Sequence, residues 1–203
     1  MAEPPGRPAG RAAILAVDMQ RDFCPGGALP AQAGEKILPA INRYLREAHD
    51  RRLPIYASRD WHPPVTTHFK PYGGEWPPHC VQGTEGAAFH PDLNLPREAI
   101  IVSKGDDPER PGYSALDGRT PGGQSFLADL RDRHVDVLYI AGLATEYCVK
   151  QTTLDALRAG LRVKILTDAV AGIDAHAGDA DRALTEMADA GAELTTGMTA
   201  APQ

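Results

Sequence analysis

Several reactive side chains of this sequence fall where a strand-like run stops: Asp18 after 13–17, Asp60 and His62 after 54–58, Lys104 after 99–103, and Cys148 after 135–141. Cys148 stands out first. Thr145 is a candidate N-cap for a helix over 145–160, which would place Cys148 in the first turn, where free N–H groups and the helix dipole favour an anion. A free thiol titrates near pH ~8.5, and such a site with a cation beside it draws it towards a usable thiolate. The same cysteine would also serve as a small apolar core residue. Asp18, at the end of a central strand, one strand from a lysine and one from a cysteine, is suited to take the thiol proton as a general base. Lys104 would hold Asp18 ionised and neutralise the forming thiolate. A purely structural Asp–Lys pair is the competing reading.

The histidines suggest a metal. In an extended segment Asp60 and His62 point the same way, because side chains repeat every two residues. His68 follows in the same loop, and His79 lies in Trp76-Pro-Pro-His79-Cys80. One carboxylate and three imidazoles suit Zn2+ or Fe2+, and a mixed nitrogen–oxygen shell also accepts Mn2+, whereas Ca2+ and Mg2+ prefer oxygen alone. His49, His90, His134 and His176 lack such company and read as surface residues.

Six short apolar runs (13–17, 54–58, 99–103, 135–141, 163–167 and 192–195) alternate with helical patterns over 35–52, 122–134, 145–160 and 179–190. In the third helix Val149, Thr152, Thr153, Ala156 and Leu157 recur at helical spacing, and Gly160 and Gly191 stop the last two helices. Strands alternating with helices predict an α/β domain of three layers, with a doubly wound six-stranded parallel sheet between helices. Such sheets bind ligands at the carboxyl ends of their strands, the edge on which the reactive residues fall. The reading is one domain over 12–197 behind a disordered leader, 1–11. A metal-binding loop insertion occupies about 61–98. The stretch 60–121 holds ten of the eighteen prolines, six of the twelve aromatics and four of the seven histidines, which marks it as a functional loop region.

The whole chain sets limits on function. With 203 residues and a net charge of −6 it lacks the clustered Lys/Arg needed for nucleic acid or anionic membranes. It has neither a run of about 18 apolar residues nor a signal-peptide core, so a cytoplasmic location is expected. The three cysteines, Cys24, Cys80 and Cys148, are too few for a secreted disulfide framework. The first turn, Asp18-Met-Gln-Arg-Asp-Phe23, has no glycine fingerprint, and the chain has no Walker loop and no Gly-x-Ser-x-Gly elbow. Nucleotide cofactors and serine hydrolysis drop out.

The motifs together, Ala16-Val-Asp18-Met-Gln-Arg-Asp-Phe23-Cys-Pro-Gly-Gly-Ala-Leu29, Arg59-Asp60-Trp-His62 with His68, Trp76-Pro-Pro-His79-Cys-Val, Lys104-Gly, Tyr113-Ser-Ala and Gly142-Leu-Ala-Thr-Glu-Tyr-Cys148-Val, resemble the nicotinamidase/pyrazinamidase group of the isochorismatase-like cysteine hydrolases. The likeness runs in order from about Ala12 to Thr196. It implies strand order 3-2-1-4-5-6, an Asp18–Lys104–Cys148 triad, and one divalent metal held by Asp60, His62, His68 and His79. It also implies a cis peptide at Leu143–Ala144 that aims the N–H groups of Ala144 and Cys148 into an oxyanion hole. Phe23, Trp76 and Tyr113, with Leu143 beside them, would hold a flat ring. The implied reaction converts nicotinamide, and pyrazinamide with it, to nicotinate and ammonia through a thioester, in NAD salvage. Another amidase or hydrolase of the family is the alternative, and a non-catalytic metal-binding scaffold a more distant one. Homo-oligomerisation is compatible with the likeness. Two departures from the group's pattern are the charged loop 105–112 and Tyr147, where some members carry histidine. Cys24 and Cys80 have neither base nor cation and read as structural.

Overall fold

The computed structural model describes residues 11–198; most of the expected leader lies outside the described residues, and Arg11 already opens the first strand. The strands are β1 Arg11–Val17, β2 Ile55–Asp60, β3 Ile100–Lys104, β4 Val135–Leu143, β5 Arg162–Ala171 and β6 Glu193–Thr195. All neighbours pair in parallel, in the order β3-β2-β1-β4-β5-β6. The sequence reverses direction across the sheet between β1 and β4, the position at which doubly wound folds open a crevice.

Both faces of the sheet are apolar, as parallel sheets require. Along β1, Ala12, Ile14 and Ala16 face the layer that holds α1 (Leu38–Asp50), while Ala13, Leu15 and Val17 face α2 (Phe126–Asp132), α3 (Lys150–Arg158) and α4 (Asp179–Asp189). Ile41, Tyr44 and Leu45 of α1 seal the first face, and Phe126, Leu130, Ala156 and Met187 seal the second. Three layers result.

Helix boundaries are where sequence and structure part. The stretch 34–37 is a tight turn, and α1 starts at Leu38 with Pro39 in its first turn, where the missing N–H costs nothing. The helix expected over 122–134 shrinks to α2, because Ser125 caps it: its hydroxyl accepts the Ala128 N–H at 3.3 Å. No described helix is long and apolar enough to cross a membrane. All three cysteines are free and buried.

Candidate active site

At Asp18 β1 leaves the sheet. The residue takes a positive φ of 48°, its N–H still donates to Ser58 O at 3.1 Å, and its Oδ1 accepts the Ser58 hydroxyl at 2.7 Å. Asp60 and Lys104 are register partners at the ends of β2 and β3. The Lys104 ammonium, fully buried, lies 2.5 Å from Asp60 Oδ1, 2.8 Å from Asp18 Oδ2 and 3.3 Å from Cys148 Sγ. The expectation that lysine and base sit on adjacent strands is thus corrected. β2 lies between them, the long lysine side chain spans it, and Asp60 enters the contact as a second carboxylate.

Cys148 is presented differently from the expectation. Thr145 caps nothing; Ala144 holds the cap position, and Thr145–Val149 form one π turn, with Val149 N–H reaching back to Ala144 O at 3.2 Å. The peptide joining Leu143 to Ala144 is cis, as the motif implied. Gly142 makes the approach possible: at φ 115° a Cβ there would fall 2.1 Å from Val17 O. Leu143 itself is corrected. It continues the alternation of Val137, Tyr139 and Ala141, so its side chain is buried in the α1-facing core and does not line the pocket.

Electrostatics assign distinct states to these groups. Burial opposes charge on Lys104, yet Asp18 and Asp60 outweigh it and hold its pKa well above the usual lysine range. Burial also pushes Asp60 upward, but Lys104 and His62 prevail and keep it a carboxylate. For Asp18 burial wins over Lys104, leaving it the more basic of the two acids. The Cys148 thiol is pushed well up by burial, with Lys104 in opposition. Burial thus works against the lowering expected at a helix start, and Lys104 is the cation that opposes it. Asp18, Asp60 and Cys148 bring their polar atoms within 4.8 Å of one another, so a proton acceptor stands beside the thiol.

The three predicted imidazoles meet on the other side of Asp60. One ring nitrogen from each of His62, His68 and His79 lies within 4.8 Å of the others, all buried. His62 Nδ1–H donates to Gly105 O at 2.8 Å, and His79 Nδ1–H to Pro77 O at 2.8 Å. Since carbonyls only accept, each Nδ1 is committed to its carbonyl, and Nε2 is the nitrogen of His62 and of His79 left to face a ligand. His62 Nε2 is buried with no hydrogen-bond partner and lies 3.6 Å from Asp60 Oδ2. Burial, reinforced by the other two rings, pulls His68 down to about 4, which leaves that ring neutral at pH 7. Three clustered imidazoles, an orphaned buried nitrogen and an adjacent carboxylate oxygen fit a divalent transition metal. Gly105, at φ 73°, lies against the His62 ring, where a Cβ would come within 2.6 Å of Cε1.

Above Cys148 and the imidazoles opens an aromatic pocket walled by Phe23, Trp76 and Tyr113, as expected, and by Leu29, Tyr147 and Ile173, which sequence reasoning missed as site residues. Trp76 Nε1–H donates to Tyr113 OH at 2.8 Å, and the Trp76 ring meets Tyr147 edge-on at 5.0 Å. Tyr147 had a signal, its position beside Cys148; Ile173 follows β5 with no motif to mark it. Of the remaining histidines, His49, His134 and His176 are exposed and His90 is half-buried; all stand apart from the cluster. Cys24 and Cys80 are buried with pKa values raised by burial, Cys24 to about 11, as befits structural thiols.

Comparison with known proteins places these features in context. Residues 12–198 match the isochorismatase domain. The nicotinamidase of Escherichia coli K12 is 40% identical over 200 residues, covering 91% of this chain and 94% of its own. The crystal structure of pyrazinamidase of Pyrococcus horikoshii in complex with zinc superposes with TM-score 0.85 at 45% identity, covering 92% of this chain and 99% of that one. The structure of PnC1 from Leishmania infantum in complex with nicotinate gives TM-score 0.78 at 30% identity, with coverages of 92% and 93%.

Proposed function

The chain belongs to the isochorismatase family, and from that premise we propose that it is a nicotinamidase: it hydrolyses the carboxamide of nicotinamide to nicotinate and ammonia, with pyrazinamide as a second ring amide. The observation that carries the reading is the buried contact of Lys104 with Asp18, Asp60 and Cys148 at the floor of an aromatic pocket whose lining includes the His68 and His79 imidazoles.

In this reading Phe23, Trp76 and Tyr113 flank the pyridine ring and turn its carboxamide towards Cys148. Sγ attacks the carbonyl carbon while Asp18, the more basic carboxyl, takes the thiol proton. Lys104 stays charged throughout and offsets the negative charge that moves between sulfur and carboxylate. The N–H groups of Ala144 and Cys148 receive the oxyanion. Asp18 then returns the proton to the departing nitrogen, so that ammonia leaves and a thioester to Cys148 remains. A water gives its proton to the same Asp18 and attacks the thioester; the acid leaves and the thiol is restored. Asp60, His62, His68 and His79 would hold the divalent ion, which when bound supplies a Lewis acid for the ring nitrogen. Zn2+ is our choice of ion, on the likeness to the zinc-complexed archaeal protein; the same shell accepts Fe2+ and Mn2+.

The test is ammonia release from nicotinamide by the purified, metal-loaded protein. Cys148→Ala is expected to lower kcat by more than about a thousandfold while circular dichroism stays unchanged, because removing a nucleophile removes the covalent route. Undiminished turnover in that variant would overturn the mechanism.

A further inference from the structure

Where β1 turns out of the sheet at Asp18, β2 runs on. Asp18 N–H to Ser58 O is their last main-chain bond, at 3.1 Å. The backbone polar groups of β2 alternate between its two neighbours: those of Ser58 and Asp60 face β1, while Trp61 N–H faces β3 and donates to Lys104 O at 2.8 Å. Asp60 therefore has no β1 backbone opposite it, although it is buried. Gln20 supplies the missing partner with its side chain. Its Oε1 accepts the Asp60 N–H at 2.7 Å, and its Nε2 donates to Asp60 O at 2.8 Å. The second Nε2 hydrogen goes to Ala87 O at 2.9 Å. The amide thus uses both of its ends, and Gln20 is fully buried.

Gln20 is itself pinned. Its N–H donates to Asp18 O at 2.7 Å, and its backbone bridges Phe89 in antiparallel fashion. The Asp60 carboxylate in turn divides its oxygens, Oδ1 to Lys104 and Oδ2 towards His62 Nε2. That division holds only while the Asp60 backbone keeps one orientation at the free end of its strand.

We propose that Gln20 is a positioning residue of the metal centre, whose side-chain amide replaces the absent β1 backbone and so fixes the Asp60 carboxylate between Lys104 and the three imidazoles. The inference rests on reading Asp60, His62, His68 and His79 as the metal ligands. Groups that orient a ligand change metal affinity by about ten- to a hundredfold when removed, without touching the ion.

Co2+, whose visible absorption reports its coordination geometry, is the probe, titrated into the purified metal-free full chain. Gln20→Leu keeps the volume and loses all three bonds; Gln20→Glu keeps the acceptor and loses both donated bonds. Each is expected to raise the Co2+ dissociation constant by about ten- to a hundredfold and to alter the visible bands. Asn42→Leu is the control, because Asn42 makes a comparable double clamp away from the site, donating to Asp92 O at 2.8 Å and accepting from Asn94 N–H at 2.8 Å. It is expected to lower Tm while leaving the Co2+ constant within about twofold, since no metal ligand depends on it. Unchanged affinity and bands in the Gln20 variants would overturn the proposal, as would equal weakening by Asn42→Leu. If Gln20→Leu does not fold, Gln20→Glu alone decides. Failure of the unsubstituted chain to take up Co2+ would overturn the metal reading beneath it, a result distinct from equal uptake by chain and variant.

Discussion

Lys104 faces two acidic side chains, more than one ammonium neutralises. Asp18 and Asp60 are both within ion-pair distance of it, and all three side chains are essentially withdrawn from water. Replacing Lys104 with Met keeps the stem and removes the charge, which leaves two buried carboxylates without a counter-ion. A loss of about 3–5 kcal/mol of stability in the metal-free protein at neutral pH is expected, read by urea unfolding, because an uncompensated buried charge is that costly. The sign of its pH dependence follows from burial. With the lysine gone, desolvation raises both folded-state carboxyl pKa values above their unfolded ones. The variant's deficit is then small in acid, where both acids are protonated, and grows as pH rises through the raised values. At this scale the meeting of Asp18, Lys104 and Cys148 was legible because each follows or ends a strand-like run, and that of His62, His68 and His79 because they crowd one loop. Leu143 and Gln20 were not: one required knowing which way β4 alternates, the other that β1 stops short of Asp60.

Among the elements, β4 and the π turn after it present Cys148, and Gly142 of β4 is testable against a neutral comparison in α2. Ser125→Ala removes the cap of α2 and is expected to cost about 1 kcal/mol in chemical denaturation without changing kcat/KM, since α2 lies away from the pocket. Gly142→Ala is expected to cost more than about 2 kcal/mol and to abolish most activity, because both its positive φ and the 2.1 Å approach to Val17 O exclude a Cβ. Strands were legible from their apolar runs, which both faces of a parallel sheet demand. Helix starts were not. The turn at 145–149 closes from residue i to i+5, and no periodicity in five residues separates that from an ordinary helix.

Taken whole, the molecule divides labour between a rigid sheet and a proline-rich stretch that brings His62, His68, His79, Trp76 and Tyr113 to one end of it. Three proposed ligands on one connected loop mean that the ion and the loop should order each other. Stripping the ion with a chelator is expected to abolish turnover and to lower Tm by on the order of 10 °C, with both restored by added Zn2+. A ligand present at about a thousand times its dissociation constant contributes roughly 4 kcal/mol, and a domain of this size moves about 2–4 °C per kcal/mol. Unchanged Tm after complete removal, verified by elemental analysis, would count against loop and ion being coupled. That the loop gathers at the pocket was readable from its histidines and aromatics, whereas its path, with the Gly105 and Pro77 carbonyls receiving the His62 and His79 Nδ1–H groups, depended on the fold.

The order of the strands has one more consequence. The ladder between β1 and β4 joins segments far apart in the chain, and it is also a line of division. Asp18, Lys104 and every proposed metal ligand lie on one side of it; Cys148 lies on the other. An emerging polypeptide that has completed β1, β2 and β3 would hold a base, a cation and an ion site, yet would be inert until the last third of the chain docks. Contacts of such long range form slowly and late. The onset of turnover therefore times the closing of a single seam, and a chain refolding from denaturant could be followed by its own product.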